Sequence, residues 1–344
     1  MRSLIVALLL AAIAGSLWYF LNRPKEDLRI YTWDTYVAPD LFKKFEKETR
    51  IRVIPILFYS NDELEAKLKT GAVFDLVMPS GNYVSRLVDA KLLQPLPPQI
   101  QALGAQMDAP VQHPVYDPDY KWSVPLFYGT TGIAVDHSRT SETITSWNQL
   151  FTRPAGEKPE IGMLDEVSTL MAVTSIAAGS NYCDMSPEIL TRIEQMLRAQ
   201  KPYVKSYEAE AYFEHLAADD RTLQLAWSGD AFIARLKNPN IQYIYPKEGV
   251  ELWLDTMAIP ANAPNPKAAA KFMEFVLKPE NQAQYAEVSR SMPSVGATHA
   301  FLPEEMQTAP EMNVPPGTRA VISSVCAPHA IALYNDLVGR IIGK

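Results

Sequence analysis

The sequence lacks the motifs that mark the common classes of catalytic and cofactor-binding sites. It contains no GxGxxG or P-loop glycine run, no GxSxG and no HExxH. Its five histidines are scattered, with none paired at the spacing of metal ligands. We therefore predict a protein that holds no cofactor and no metal and is not an enzyme.

Cysteine is equally scarce, with only Cys183 and Cys326, which lie 143 residues apart and outside any CxxC motif. A zinc site would need further ligands close by. In an oxidising compartment the two cysteines could form one disulfide, and two buried free thiols are the alternative. The sequence alone leaves both open.

Basic residues are outnumbered by acidic ones, 32 against 39, which gives a formal net charge of −7. A general nucleic-acid binder is expected to carry the opposite sign, so we predict no nucleic-acid partner. Hydrophobic residues make up 47% and charged residues 21% of the chain. This composition is typical of a globular protein, and the length suits one large two-lobed domain or two ordinary domains.

Residues 1–24 have the layout of an export signal. A short positive start, Met1-Arg2, precedes an apolar run, and Ala12-Ile13-Ala14 has the small-x-small pattern of a cleavage site. The stretch from Ser3 to Leu21 contains no charged residue, which is just long enough for an uncleaved membrane anchor. We predict a periplasmic protein that is either released by cleavage or tethered to the inner membrane.

Alternating strand and helix patterns follow. Three short strand patterns with helix patterns between them lie within about 50 residues and predict a parallel, doubly wound α/β sheet. The segment 94–125 is rich in proline and is expected to be irregular. A second α/β set is expected from 160 to 226, followed by a strand at 252–259 and a helix at 267–277. Ligands of such sheets bind beyond the carboxyl ends of the strands.

An aromatic residue beside a carboxylate recurs at three predicted strand ends. The segments are Tyr31-Thr32-Trp33-Asp34-Thr35-Tyr36, Ala226-Trp227-Ser228-Gly229-Asp230 and Leu252-Trp253-Leu254-Asp255. Aromatic faces together with carboxylates hold an alkylammonium group by cation–π attraction and charge-assisted hydrogen bonds. For a single pair, a core tryptophan beside a solvated aspartate is the simpler interpretation, but three such pairs favour a binding site for a cationic amine.

The chain resembles the periplasmic polyamine-binding proteins, the spermidine/putrescine receptors of ABC importers, from about Leu28 to Tyr285. Five stretches carry the resemblance, in this order: LRIYTWDTYVAPDLFKKFEKETRIRV, SNDELEAKLKTGAVFDLVMPSGNYVSRLVDAKLLQPL, WSVPLFYGTTGIAVD, LAWSGDAFIA and LWLDTMAIPANAPNPKAAAKFMEFVLKPENQAQYAE. The family implies an α/β, two-lobed periplasmic-binding-protein fold (type II-like), with a ligand cleft between the lobes and hinge crossovers. We expect lobe 1 at 28–134 plus 257–300 and lobe 2 at 135–256 plus 301–344, with hinges near Ala134 and Thr256.

The resemblance also implies which residues bind the ligand. Aromatic rings would enclose the apolar stem, and carboxylates would pair with the ammonium groups. The matching positions are Trp33, Tyr36, Ser80, Tyr83, Trp227, Asp230, Trp253 and Asp255. Asp34 and Asp165 are further candidates, although Asp165 is equally well placed to serve as the carboxylate at a helix start.

Two positions depart from the family pattern. Thr169 stands where a glutamate is usual, with Glu166 nearby, and Met292 stands where a tyrosine is usual. Losing the carboxylate at 169 removes a partner for a desolvated ammonium. We therefore expect a different cation, weak polyamine binding, or a sensor or scaffold role. The leading prediction is a receptor that delivers a polyamine or related amine to an ABC permease, and the alternative is an amine sensor that docks on a membrane signalling protein.

Overall fold

The structure is a computed structural model that describes residues 26–156, 160–184, 186–209, 212–218, 221–322 and 326–343. The predicted signal or anchor at 1–24 lies outside the described residues. Eleven strands of the described chain belong to one mixed sheet, in the order β2-β1-β3-β9-β4-β7-β5-β6, with β8 and β10 paired to β4 and β11 paired to β9. Among the described residues, no helix is both long and apolar enough to cross a membrane.

The strands are β1 (Glu26–Thr32), β2 (Ile51–Leu57), β3 (Leu76–Val77), β4 (Ser123–Asp136), β5 (Ile161–Met163), β6 (Val204–Tyr207), β7 (Leu223–Trp227), β8 (Ile241–Ile244), β9 (Val250–Ala258), β10 (Met292–Pro293) and β11 (Ala320–Ile322). The helices are α1 (Pro39–Thr49), α2 (Asn61–Lys69), α3 (Gly81–Asp89), α4 (Pro98–Gln101), α5 (Trp147–Phe151), α6 (Val167–Ala177), α7 (Pro187–Gln200), α8 (Tyr212–Ala217), α9 (Ser228–Lys237), α10 (Pro266–Val276), α11 (Pro279–Ser289), α12 (Glu304–Gln307) and α13 (Pro328–Ile342).

The predicted βαβαβ unit is confirmed, because β1 pairs in parallel with both β2 and β3. Helix α1 begins with Pro39 in its first turn, where the missing N–H costs nothing, and ends at Arg50 in a left-handed conformation. Helix α2 begins after Ser60, whose hydroxyl accepts a hydrogen bond from the Glu63 backbone N–H at 3.1 Å. Local sequence signals therefore decide the helix limits in this part of the chain.

Two features of the sheet differ from the sequence-based prediction. The sheet is mixed rather than parallel throughout, since β4 is antiparallel to β7, β8 and β9. Strand β4 also begins at Ser123, within the segment expected to be irregular. Pro125 is accommodated because the pairing of β4 with β9 shifts register between Pro125 and Phe127, and a proline at such a bulge breaks no continuous ladder.

The buried side chains form two large cores. The first core gathers side chains from β1, α1, α10, α11 and the first half of β4, where Val124–Tyr128 are buried. The second core gathers side chains from β5, α6, α7, β7, α13 and the second half of β4, where Ile133–Val135 are buried. One continuous strand thus passes from one core to the other.

The predicted lobe limits remain a prediction. The membership of the two cores favours somewhat different limits, which we propose. Leu252 and Leu254 of β9 pack in the first core, as do Leu302, Met306 and Met312, although the sequence-based limits give these segments to lobe 2. The reason is that β9 pairs with β4 along its length, so its apolar residues face the first core before the expected crossing. We propose crossings near 129–132 in β4 and just before β9.

Cys183 and Cys326 form a disulfide, with their Cα atoms 5.3 Å apart. Of the two alternatives that the sequence leaves open, the structure therefore has the bonded pair. The bond joins the segment after α6 to the residues that precede α13. It fastens the C-terminal helix to the second core.

Candidate ligand-binding site

A cavity of about 880 Å³ is lined by residues that belong to elements of both cores. This volume is in the range of sites that enclose small molecules. All ten residues singled out from the sequence line it, namely Trp33, Asp34, Tyr36, Ser80, Tyr83, Asp165, Trp227, Asp230, Trp253 and Asp255. The structure therefore brings the three aromatic–carboxylate segments together, although Trp253 and Asp255 lie within β9 rather than at its predicted end. The ligand-binding roles of these residues stay a proposal.

The end of β1 supplies the first aromatic wall. A 3₁₀ turn at Asp34–Tyr36 follows the strand. The Trp33 ring is half-buried and packs on Phe58, with the ring centroids 4.3 Å apart. The Asp34 side chain is exposed and accepts a hydrogen bond from the Thr35 backbone N–H at 2.7 Å, which holds its carboxylate at the turn.

Asp255 is a buried carboxylate held by two hydroxyl donors. Tyr36 Oη donates to Oδ2 at 2.5 Å and Ser80 Oγ donates to Oδ1 at 2.6 Å. Asn61 fixes Ser80, accepting from its backbone N–H at 2.9 Å and donating to its Oγ at 3.1 Å. Burial raises the pKa of Asp255, while the two hydroxyl donors lower it. A bound cation would compensate the remaining cost of keeping this group charged.

Asp230 is a second carboxylate whose charge is disfavoured. It lies in the first turn of α9, directly after the Trp227 that ends β7. Burial, with a smaller contribution from the negative charge of Asp34, raises the pKa of Asp230 to about 6, against the opposing effect of a hydrogen bond from Tyr212. The Trp227 ring meets the Tyr212 ring edge-on at 6.0 Å. Here again a carboxylate and a large aromatic ring stand together in the cavity.

Strand β9 contributes a row of cavity-lining side chains on one of its faces. Glu251, Trp253 and Asp255 line the cavity and occupy every second position of the strand, which places them on one face. Leu252 and Leu254 pack in the first core and also border the cavity. The sequence-based reasoning missed Glu251. The signal that would have found it is the strand period of two in Glu-Leu-Trp-Leu-Asp, rather than the adjacency of an aromatic residue and an acid.

The Trp253 ring occupies space that a glycine leaves open. Gly129 of β4 stands opposite Trp253 in the antiparallel ladder. A Cβ atom at residue 129 would lie 2.0 Å from Cζ2 of the indole, so only glycine permits this ring position. The Trp253 ring therefore lies over Gly129 of β4. Along β9, Trp253 stands between Glu251 and Asp255.

Tyr83 lines the cavity with a hydroxyl that is already engaged. Its Oη donates to Asp62 Oδ1 at 3.0 Å, and the Arg86 guanidinium stacks 4.5 Å from the centre of its ring. Tyr83 therefore offers the ligand a ring face rather than a hydroxyl group. Asp62, its acceptor, also lines the cavity.

The structure shows the surroundings of the two positions that depart from the family pattern, Thr169 and Met292. Glu166 lines the cavity but also caps α6, because it accepts the Thr169 backbone N–H at 2.7 Å and a hydrogen bond from the Ser168 hydroxyl. Asp165 lies just before this cap and lines the cavity as well. Met292 is buried in β10 opposite Tyr128, and its side chain packs in the first core.

The charged side chains among the described residues of the cavity wall are all acidic. Among the described residues that line it, eight are carboxylates and none is lysine, arginine or histidine. The carboxylates are Asp34, Asp62, Asp165, Glu166, Glu208, Asp230, Glu251 and Asp255. Nine lining residues carry aromatic rings: Trp33, Tyr36, Phe58, Tyr59, Tyr83, Tyr116, Phe213, Trp227 and Trp253. Within the described part of the chain, no cluster of histidine, cysteine and acidic residues could hold a metal ion.

The fold and this cleft define a two-lobed substrate-binding protein, and comparison with known proteins gives the same class. Residues 40–314 match the family of bacterial extracellular solute-binding proteins. The chain is 30% identical over 289 residues to the spermidine/putrescine-binding periplasmic protein of Salmonella typhimurium, covering 81% of each chain. It is 29% identical over 299 residues to the putrescine-binding periplasmic protein PotF of Escherichia coli, covering 81% of this chain and 80% of PotF.

A solved structure agrees with the sequence relatives. The spermidine/putrescine ABC transporter substrate-binding protein PotD of Streptococcus pneumoniae superposes with a TM-score of 0.82 at 26% identity, covering 92% of this chain and 98% of PotD. The chain therefore belongs to the bacterial extracellular solute-binding protein family. The predicted family and the predicted two-lobed fold are both confirmed.

Proposed function

We propose that the protein captures a polyamine or a related cationic amine outside the cytoplasm and delivers it, chemically unchanged, to an ABC importer. The observation that carries this proposal is the wall of the cavity, with eight carboxylates, nine aromatic residues and no basic residue among the described lining residues. The names of the relatives, which are spermidine/putrescine or putrescine binders, support the same ligand class.

The chemistry of the wall suits an ammonium group better than any other small-molecule charge. Asp255 and Asp230 are carboxylates whose pKa values are raised by burial, so both gain from a cation placed beside them. The rings of Trp33, Trp227 and Trp253 provide flat apolar surfaces for the methylene chain and attract the adjacent positive charge. A carboxylate ligand would meet like charges here and no basic partner among the described lining residues.

The partner of the liganded protein is proposed to be the permease of an ABC importer, as for PotD by its name. The alternative prediction, an amine sensor that docks on a membrane signalling protein, has no observation in its favour among the described residues. We further propose that residues 1–24 direct export, either as a cleaved signal or as a tether at the inner membrane.

Calorimetric titration of the purified protein tests the ligand class. We expect one-to-one binding of at least one amine among putrescine, cadaverine, spermidine and agmatine at modest salt. Glutamate and succinate, which carry the opposite net charge, should give no binding heat. Absence of binding to every amine, by protein shown to be folded by circular dichroism, would overturn the proposed function.

A further inference from the structure

Glu251 is one of the lining carboxylates, with Asp62 and Glu208, that neither the aromatic–acid pattern nor the family positions identify. Its side chain is only 3% exposed, yet it belongs to the wall of the cavity. Thr131 Oγ1, on the strand opposite, donates a hydrogen bond to Glu251 Oε2 at 2.7 Å. The carboxylate is therefore held in a fixed position at the wall rather than moving freely in solvent.

Glu251 and Asp255 stand at opposite ends of one row with Trp253 between them. Their Cα atoms are separated by four strand positions, about 13 Å at the usual rise of a β-strand. Opposite this row, β4 presents Thr131 and Phe127 at the ends and Gly129 in the middle. The two carboxylates thus lie at the ends of a straight row, with the indole ring of Trp253 in the middle. We call this row, Glu251, Trp253 and Asp255, the track.

Neighbouring strands hold the Glu251 end of the track. Strand β11 pairs with β9 in parallel, placing Val321 beside Glu251 and Ile322 beside Leu252. Ile322 itself lines the cavity, and the disulfide at Cys326 follows shortly after it. The backbone at this end of the row is therefore paired on both sides, by β4 and by β11.

From this arrangement we propose that Glu251 binds the far ammonium group of a long polyamine whose near ammonium lies on Asp255. This inference rests on the proposed function and adds a ligand preference to it. Glu251 would supply a carboxylate to the pocket whose usual glutamate position holds Thr169. Putrescine is shorter than the track and would reach only one end, whereas extended spermidine comes close to its length.

The alternative role for Glu251 is purely structural, as the acceptor for Thr131. The substitution Glu251→Gln separates the two roles, because glutamine keeps the size of the side chain and an oxygen that accepts from Thr131. It removes the negative charge and replaces one carboxylate oxygen by an NH2 group. Glu274→Gln makes the same chemical change at an exposed position of α10 and serves as the matched control.

The test is calorimetric titration of the protein and both variants with two groups of ligands. The long group is spermidine and octamethylenediamine. The short or single-charge group is putrescine and octylamine, the latter having the length but only one ammonium group. We expect the unmodified protein to bind the long group more tightly than putrescine.

For Glu251→Gln we expect a loss of affinity for the long group of about ten- to hundredfold, the range for losing a hydrogen bond to a charged partner. Putrescine and octylamine should change by less than about twofold, as should every ligand with the Glu274→Gln control. Equal affinities in all variants, or an equal loss for long and short ligands, would overturn the role of Glu251. Failure of the unmodified protein to bind any amine would instead overturn the proposed function.

Discussion

Replacing Asp230 by asparagine is expected to stabilise the ligand-free protein. Burial raises the pKa of Asp230 from the ordinary 3.8 to about 6, so the folded state binds a proton more readily than the unfolded state does. Between these two values stability falls as the pH rises, and the full cost is present above about pH 6. At pH 7 that cost is about 3 kcal/mol, because each pKa unit corresponds to about 1.4 kcal/mol.

Urea denaturation of the ligand-free protein at several pH values measures this cost. Because asparagine carries no charge at any pH, the gain for Asp230→Asn should be about 3 kcal/mol at pH 7, about 1.5 at pH 5 and about 0.5 at pH 4. Asp119→Asn, at an exposed position, should change stability by no more than about 0.5 kcal/mol. A gain that is absent at pH 7, or that is as large at pH 4 as at pH 7, would refute the buried-charge reasoning.

Three further predictions address the cavity and the disulfide. Asp255→Asn should lower the calorimetric affinity for spermidine by about a hundredfold, since a buried charge pair is lost, while the unliganded protein stays folded; unchanged affinity would remove Asp255 from the site. Gly129→Ala places a methyl group 2.0 Å from the Trp253 ring, so the ring must move. Spermidine affinity should then fall about tenfold, and an unaltered Kd would contradict this. Cys183→Ala should lower the free energy of unfolding in urea by about 2–4 kcal/mol, and equal stability would show that the disulfide contributes nothing.

The secondary structure of the first core was predictable because its signals are local. Pro39 at a helix start, Ser60 at a cap and apolar residues on one face of α1 act within a few residues of each other. The same holds for two of the aromatic–carboxylate segments, which lie where β1 and β7 end. The third, Leu252-Trp253-Leu254-Asp255, was expected at a strand end but lies inside β9. Pairing through β3 and β4 places β1, β7 and β9 in one sheet although β1 runs opposite to the other two, and every residue chosen from these segments lines the cavity.

Features that depend on pairing between distant segments were not predictable in the same way. The crossings that we propose between the lobes depend on the pairing of β4 with β9 along their length, which no local pattern records. The bond between Cys183 and Cys326 closes a loop of 143 residues, and its formation depends on how α13 packs. The hydrogen bond from Thr131 to Glu251 likewise forms only through the ladder, although the period of two along β9 is a local signal that would have found Glu251 itself.

A crystal structure of the protein grown with spermidine tests the binding of a polyamine in this cavity most directly. We expect one ammonium nitrogen within hydrogen-bond distance of the Asp255 carboxylate and the methylene chain against the Trp253 ring. An empty cavity at saturating spermidine, or spermidine bound with its nitrogens away from the lining carboxylates, would contradict the proposed binding of a polyamine in this cavity.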